Sequence, residues 1–175
     1  MFDLKKISFF KELSREQEEK IAALLQKIEV EAGVPFIKEG EFGTEMFILI
    51  SGRVKVVKQM LKPEVAEKIP FLQETEKVLA VLEGKDFPVL GEVALVDSDK
   101  RSATIYTLTP CVFLKLSQKN FFHLIQSEPE LGLKIVLNIA KNLAFRLRKA
   151  NDDVIKLTTA LALVLHKKNN LKEEV

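Results

Sequence analysis

Residues 32–58 read AGVPFIKEGEFGTEMFILISGRVKVVK, and this stretch decides the fold class. Val34-Pro35-Phe36-Ile37 is a short apolar run. Glu39-Gly40-Glu41-Phe42-Gly43 follows it with turn chemistry. Phe47 to Ile50 form a second apolar run, which Ser51-Gly52 breaks. Val54 and Val56 then alternate with Arg53 and Lys55, the pattern of a half-buried strand. Three short strands punctuated by glycine predict antiparallel β-structure.

The same rhythm continues downstream. Val78–Leu82, Ala103–Thr107 and Val112–Leu116 read as further strands, and many short strands predict a small barrel or jelly roll. Residues 59–77 interrupt the rhythm; they are charged, contain Pro63 and Pro70, and read as an expanded hairpin loop. Upstream, Ser14 and Gln17 have capping-box spacing, with Leu13 placed for the preceding staple contact. Ile21, Leu24, Leu25 and Ile28 recur at helical spacing, which predicts a helix over 14–28. Downstream, 117–126 reads as a short helix. Pro129 stands where a helix likes to begin, and apolar periodicity runs on to about Leu165. Asn151-Asp152-Asp153 are weak helix formers and mark where a bend or re-cap would fall.

The predicted class is therefore α+β, an antiparallel β-roll (jelly-roll barrel) flanked by an N-terminal helix and long C-terminal helices. The expected organisation is a ligand-binding β-roll with its N-terminal helix over 1–126, a C-terminal helix over 127–170 and a tail over 171–175.

Composition narrows the functional classes. The 175 residues are 47% hydrophobic with twelve Phe, and chains near this size bury roughly 68–70% of their unfolded surface. The formal net charge of +2 is not the strong basic excess of a nucleic-acid binder. Residues 141–175 carry eight Lys/Arg against four Asp/Glu, an ordinary solvated helix face. Cys111, the single cysteine, reads as a small core residue on a strand. The start lacks the apolar run of a signal peptide. The apolar run 160–165 is far short of the ~20 residues that span a bilayer. A soluble, cytoplasmic protein is expected.

The stretch that carries chemistry is LGEVALVDSDKRSATI, residues 90–105. Arg101 offers a planar bidentate fork that suits an anion with two oxygens, such as a phosphate group. A short helix starting near Gly91 would turn backbone N–H groups to the same anion. Gly91 lets a ligand approach the backbone. Glu92 looks wrong beside a bare phosphate. It makes sense if the ligand also offers a hydroxyl, such as a ribose 2′-OH. Ser102 adds a hydroxyl for phosphate or base.

This stretch resembles the phosphate-binding cassette of cyclic-nucleotide-binding domains, as found in bacterial catabolite activators, kinase regulatory subunits and certain ion channels. Gly91, Glu92, Ala94, Leu95, Arg101, Ser102, Ala103 and Thr104 stand at the family's spacing without a gap. Residues 32–58 resemble the family's opening strands, with Gly33, Gly40, Gly43 and Gly52 at its turns as scaffold. The resemblance covers about residues 5–150. It implies that Gly91, Glu92, Val93, Ala94, Arg101, Ser102 and Ala103 line the ligand site. By alignment to the catabolite activators it puts Arg146 of the C-terminal helix near the base. The implied ligand is cyclic AMP, with cyclic GMP or a cyclic dinucleotide left open. Two departures stand out. Pro88-Val89-Leu90 intervene between the Gly84–Phe87 turn and Gly91, and Lys100 replaces a common Pro.

Three rivals remain. A cupin-like enzyme would place several His on barrel strands, whereas His123 and His166 fall in helical zones. No other catalytic, metal or cofactor motif appears, so the expectation is a non-enzyme without a cofactor. A DNA-binding regulator needs a helix-turn-helix, for which the residues after His166 are too few. The third rival is the same fold binding another ligand, or none, as an interaction module.

Val136, Ala140, Leu143, Leu147, Ala150, Val154, Leu157, Leu161 and Val164 are spaced alternately by four and three. This heptad seam predicts a parallel homodimer through the last helix. Leu133, Leu137, Ala144 and Phe145 lie off the seam and are expected to pack on the barrel. The dimer helix is expected to carry the signal to a downstream protein partner, with neither nucleic acid nor membrane involved.

Overall fold

The structure is a computed structural model and describes residues 4–61, 76–97 and 99–173. Two units divide it, Met1–Ile135 and Val136–Val175.

In the first unit, two short 3-10 turns, Leu4–Lys6 and Ser8–Phe10, precede helix α1, Arg15–Ala22. Ser14 caps α1 as its spacing predicts. The Gln17 N–H donates to Ser14 Oγ at 3.2 Å, and the Ser14 N–H donates to Gln17 Oε1 at 3.1 Å. Ser14→Ala removes one half of this reciprocal cap. We expect it to cost about 1 kcal/mol, read as a lower urea midpoint at unchanged slope.

Helix α1 ends at Ala22, short of the expected Ile28. Residues Gln26–Val30 form strand β1 instead. Ile28 pairs with Phe113 and Val30 with Cys111. Both are β-branched and two apart, so cross-strand pairing overrides the weak helical spacing.

The remaining strands are β2 (Pro35–Ile37), β3 (Glu45–Ser51), β4 (Arg53–Gln59), β5 (Glu76–Glu83), β6 (Val89–Leu90), β7 (Thr104–Thr107) and β8 (Cys111–Ser117). They make two four-stranded antiparallel sheets, ordered β1-β8-β3-β6 and β2-β7-β4-β5. This is the β-roll that the sequence predicts. Most of the predicted 59–77 loop lies outside the described residues.

The core sits between the sheets. Phe47, Leu49, Leu90, Cys111 and Phe113 come from one sheet, and Ile37, Val54 and Ile105 from the other. Phe36 stacks on Phe113 at 4.4 Å and meets the Phe47 ring edge-on at 4.6 Å. The pairing of β4 with β5 is irregular at one point. Val56 pairs with Ala80 and Val57 with Val78, so Leu79 is left over as a bulge. Val56 packs on the core with Val54, and Val57 is buried as well.

Of Pro88-Val89-Leu90, the last two form strand β6, and Pro88 leads directly into it. Leu90 pairs with Phe47 and Val89 with Ile48, and the Leu49 N–H donates to Pro88 O at 3.0 Å. Both β6 side chains are buried. The three residues thus carry the chain to Gly91 along β3.

Helix α2 (Gln118–Ser127) is capped by Ser117, whose Oγ accepts the Asn120 N–H at 3.2 Å. Helix α3 runs unbroken from Pro129 to Glu173, through Asn151–Asp153. Leu133, Leu137, Ala144 and Phe145, the set expected to pack on the barrel, are exposed. Leu131, Ile135 and Ile139 are buried. Those three recur every four residues and share one stripe, whereas 133 and 137 lie about 200° around the helix from it. Among the described residues no helix is long and apolar enough to cross a membrane.

Candidate functional site

Strand β6 ends at Gly91, which adopts φ +68, a left-handed conformation that glycine enters without the usual Cβ penalty. A 3-10 helix, Glu92–Leu95, follows. Its first hydrogen bond runs from the Ala94 N–H to Gly91 O at 3.2 Å, so the earlier amides stand outside the helical ladder. Gln118 at the start of α2 donates through Nε2 to Ala94 O at 3.1 Å and Leu95 O at 3.4 Å. The cassette helix is thereby tied to α2.

After this helix the chain turns back through Asp97, where the Asp99 N–H donates to Asp97 Oδ1 at 3.2 Å. It then reaches Lys100 and Arg101. These two run against the Gly40–Gly43 turn. The Arg101 N–H donates to Glu41 O at 2.8 Å, and the Gly40 N–H donates to Arg101 O at 2.9 Å. Phe42 and Lys100 form a single antiparallel bridge, with Lys100 Nζ 5.7 Å from the Phe42 ring centre.

The Arg101 guanidinium points inward, with its side chain only 9% exposed. Nη1 donates to Gly91 O at 3.2 Å and Nη2 to Glu45 O at 2.8 Å. The Glu45 carboxylate lies 3.8 Å from Nη2, and the Phe47 ring centre is 5.9 Å from Cζ. Burial draws the guanidinium pKa below its ordinary value, while the charges of Glu45 and Glu92 oppose that shift. Two main-chain carbonyls therefore hold a cation whose planar fork matches a phosphodiester.

The other cassette residues gather around this group. Glu92 is 1% exposed and close enough for its charge to act on Arg101. Val93 is 37% exposed and Ala94 is buried. Ser102 is exposed and Ala103 half-buried. The Ser102 carbonyl accepts from Lys58 Nζ at 2.7 Å, and Lys58 also pairs with Glu39 at 3.2 Å. Thr104 Oγ1 accepts the Glu39 N–H at 3.0 Å. Gly91, Glu92, Val93, Ala94, Arg101, Ser102 and Ala103 thus all belong to the first unit. Arg146 is an exposed residue of α3 in the second unit. Among the described residues no group of three or more His, Cys, Asp or Glu converges on a metal position.

Sequence reasoning passed over Gly43, Glu45 and Lys58. Glu45 and Lys58 act at or through main-chain carbonyls, which leave no residue signature. Gly43 reads as one more turn glycine.

A family model for the cyclic nucleotide-binding domain matches residues 27–128. The chain is 34% identical over 144 residues to the cGMP-dependent protein kinase, isozyme 1, of Drosophila melanogaster, covering 82% of this chain and 17% of that protein. It is 25% identical over 119 residues to the cAMP-dependent protein kinase regulatory subunit of Dictyostelium discoideum, covering 67% of this chain and 33% of that protein. In fold it resembles the Thermus thermophilus catabolite activator protein. The TM-score is 0.71 at 24% identity, over 86% of this chain and 63% of that one. The chain therefore spans less than two thirds of the length of each of these relatives.

Proposed function

Because the chain belongs to the cyclic nucleotide-binding domain family, we propose that it is a non-catalytic sensor binding a 3′,5′-cyclic purine nucleotide. The carrying observation is the buried Arg101 fork beside Gly91, with the Glu92 charge acting on it. Arg101 takes the cyclic phosphate, and Glu92 accepts the ribose 2′-hydroxyl. Gly91, Val93, Ala94, Ser102 and Ala103 line the same pocket, and Arg146 approaches the base. Cyclic AMP is the first candidate and cyclic GMP the second, and the kinase relatives are named for both. Residues 1–126 serve as the ligand module. The helix over 127–170 joins two copies and passes the signal to a protein partner in the cytoplasm.

Titration calorimetry against cyclic AMP, cyclic GMP, a cyclic dinucleotide and the 5′-monophosphates tests this reading. A cyclic mononucleotide should bind, and more tightly than its open 5′-monophosphate, whose extra charge suits a one-arginine cassette poorly. No heat from either cyclic mononucleotide at millimolar concentration would reject the reading. Glu92→Gln should weaken binding by about 1.5–3 kcal/mol, because a hydrogen bond to a charged acceptor is lost. The 2′-deoxy ligand should bind wild type less well and lose little further affinity on the variant. Equal sensitivity of both proteins to the missing hydroxyl would remove Glu92 from that role.

A further inference from the structure

We propose that Gly43 is a positioning residue for ligand binding, because its missing side chain is what lets the Arg101 guanidinium occupy its place in the cassette. The inference rests on the reading of Arg101 as the anion-binding group. A Cβ added at Gly43 would overlap Nε, Cζ and Nη2 of Arg101, and one added at Gly91 would overlap Nη1. The guanidinium is wedged between two glycines that lie far apart in the chain.

Gly43 differs from the other turn glycines. Gly33, Gly40, Gly52 and Gly91 all have positive φ, and Gly43 does not. Its backbone therefore suits any L-residue. The three atoms nearest to an added Cβ all belong to the Arg101 side chain. What opposes a side chain at this position is Arg101.

The collision has a defined outcome. The Gly40–Gly43 turn is bonded to the Arg101 backbone in both directions, through Glu41 O and the Gly40 N–H. The turn cannot retreat without breaking those bonds. The Arg101 side chain is the movable party, so a methyl group at 43 displaces the guanidinium from Gly91 O and Glu45 O. The fold keeps its turn, and the ligand loses a correctly aimed fork. Gly33 supplies the opposite case. It has φ +80 with nothing within 4 Å of an added Cβ, so Gly33→Ala strains the backbone and touches no group of the site.

The test is calorimetry with cyclic AMP and cyclic GMP, paired with thermal unfolding, on the full chain and on Gly43→Ala, Gly33→Ala and Arg101→Ala. Gly43→Ala should bind about ten- to a hundredfold more weakly, the scale of a lost charged hydrogen bond, with its ligand-free Tm lowered no further than that of Arg101→Ala, which lacks the same two guanidinium bonds. Gly33→Ala should lower Tm at an unchanged Kd. Gly43→Ala with wild-type affinity overturns the inference and leaves the functional reading intact. A Gly43→Ala protein that loses more Tm than Arg101→Ala does, or fails to fold, also overturns it, since Gly43 would then be scaffold. A wild type that binds neither nucleotide removes the functional reading and this inference together.

Discussion

Arg101→Ala should abolish measurable nucleotide binding at micromolar ligand, a loss of about 3–5 kcal/mol or more than a hundredfold. The reason is asymmetry. A phosphodiester taken out of water keeps its charge, and without the guanidinium the cassette offers it only Lys100, which is exposed. Glu92 and Glu45, the two acids whose charges act on the guanidinium, would then repel the phosphate without compensation. Arg101→Lys separates charge from shape. An ammonium retains the Coulomb attraction without the planar fork, so its affinity should fall between the two. Thermal unfolding of both ligand-free variants checks that the β-roll survives. Cyclic nucleotide binding by Arg101→Ala at wild-type strength would reject Arg101 as the anion-binding group.

Leu147→Glu combined with Leu157→Glu should convert a dimer into monomers, read by light scattering as a halving of mass. Both leucines are on the heptad seam of α3, and they are 63% and 64% exposed in the single chain. Leu143, Val154, Leu161 and Val164 of the same seam are exposed too. A helical stripe of this length facing water calls for a partner. In a parallel pair each leucine would bury about 1.5–3 kcal/mol of apolar surface, and each glutamate would bring a charge against its own copy. Because these side chains are exposed in the single chain, the substitutions should leave its helicity by circular dichroism unchanged. A wild-type monomer at micromolar concentration would reject the dimer. A dimer that survives both glutamates would reject this interface.

The cassette was legible because its chemistry is local. Glu92 and Arg101 stand at a spacing that one short loop closes, and the residue types needed by an anion and a hydroxyl are explicit. The β-roll was legible from alternation and glycine punctuation along 32–58. Other features were set by distant parts of the chain. Leu24 to Ile28 satisfy helical spacing over too few residues to compete with β8, so Ile28 pairs with Phe113. On α3 several apolar stripes overlap, and spacing cannot tell which is buried. The structure buries Leu131, Ile135 and Ile139 and exposes Leu133 and Leu137. Gly43 owes its role to a side chain reaching it from across the fold, a contact with no trace in the residues around it.

The two hydrogen bonds from Gln118 to the carbonyls of Ala94 and Leu95 act as a mechanical coupling. Residues 92–95 shift by breaking those bonds, by turning the Gln118 side chain, or by drawing the first turn of α2 along. The first route costs enthalpy at the moment of motion; the last conserves it and moves a ten-residue lever. That lever is separated from Pro129, the first residue of α3, by Glu128 alone. Its Ser117 cap and its Gln118 grip sit on adjacent residues, so the stiff end of the lever is the end that is pulled. A displacement of the cassette helix that spares these bonds is thus taken up at the Gln118 side chain, on the first turn of α2.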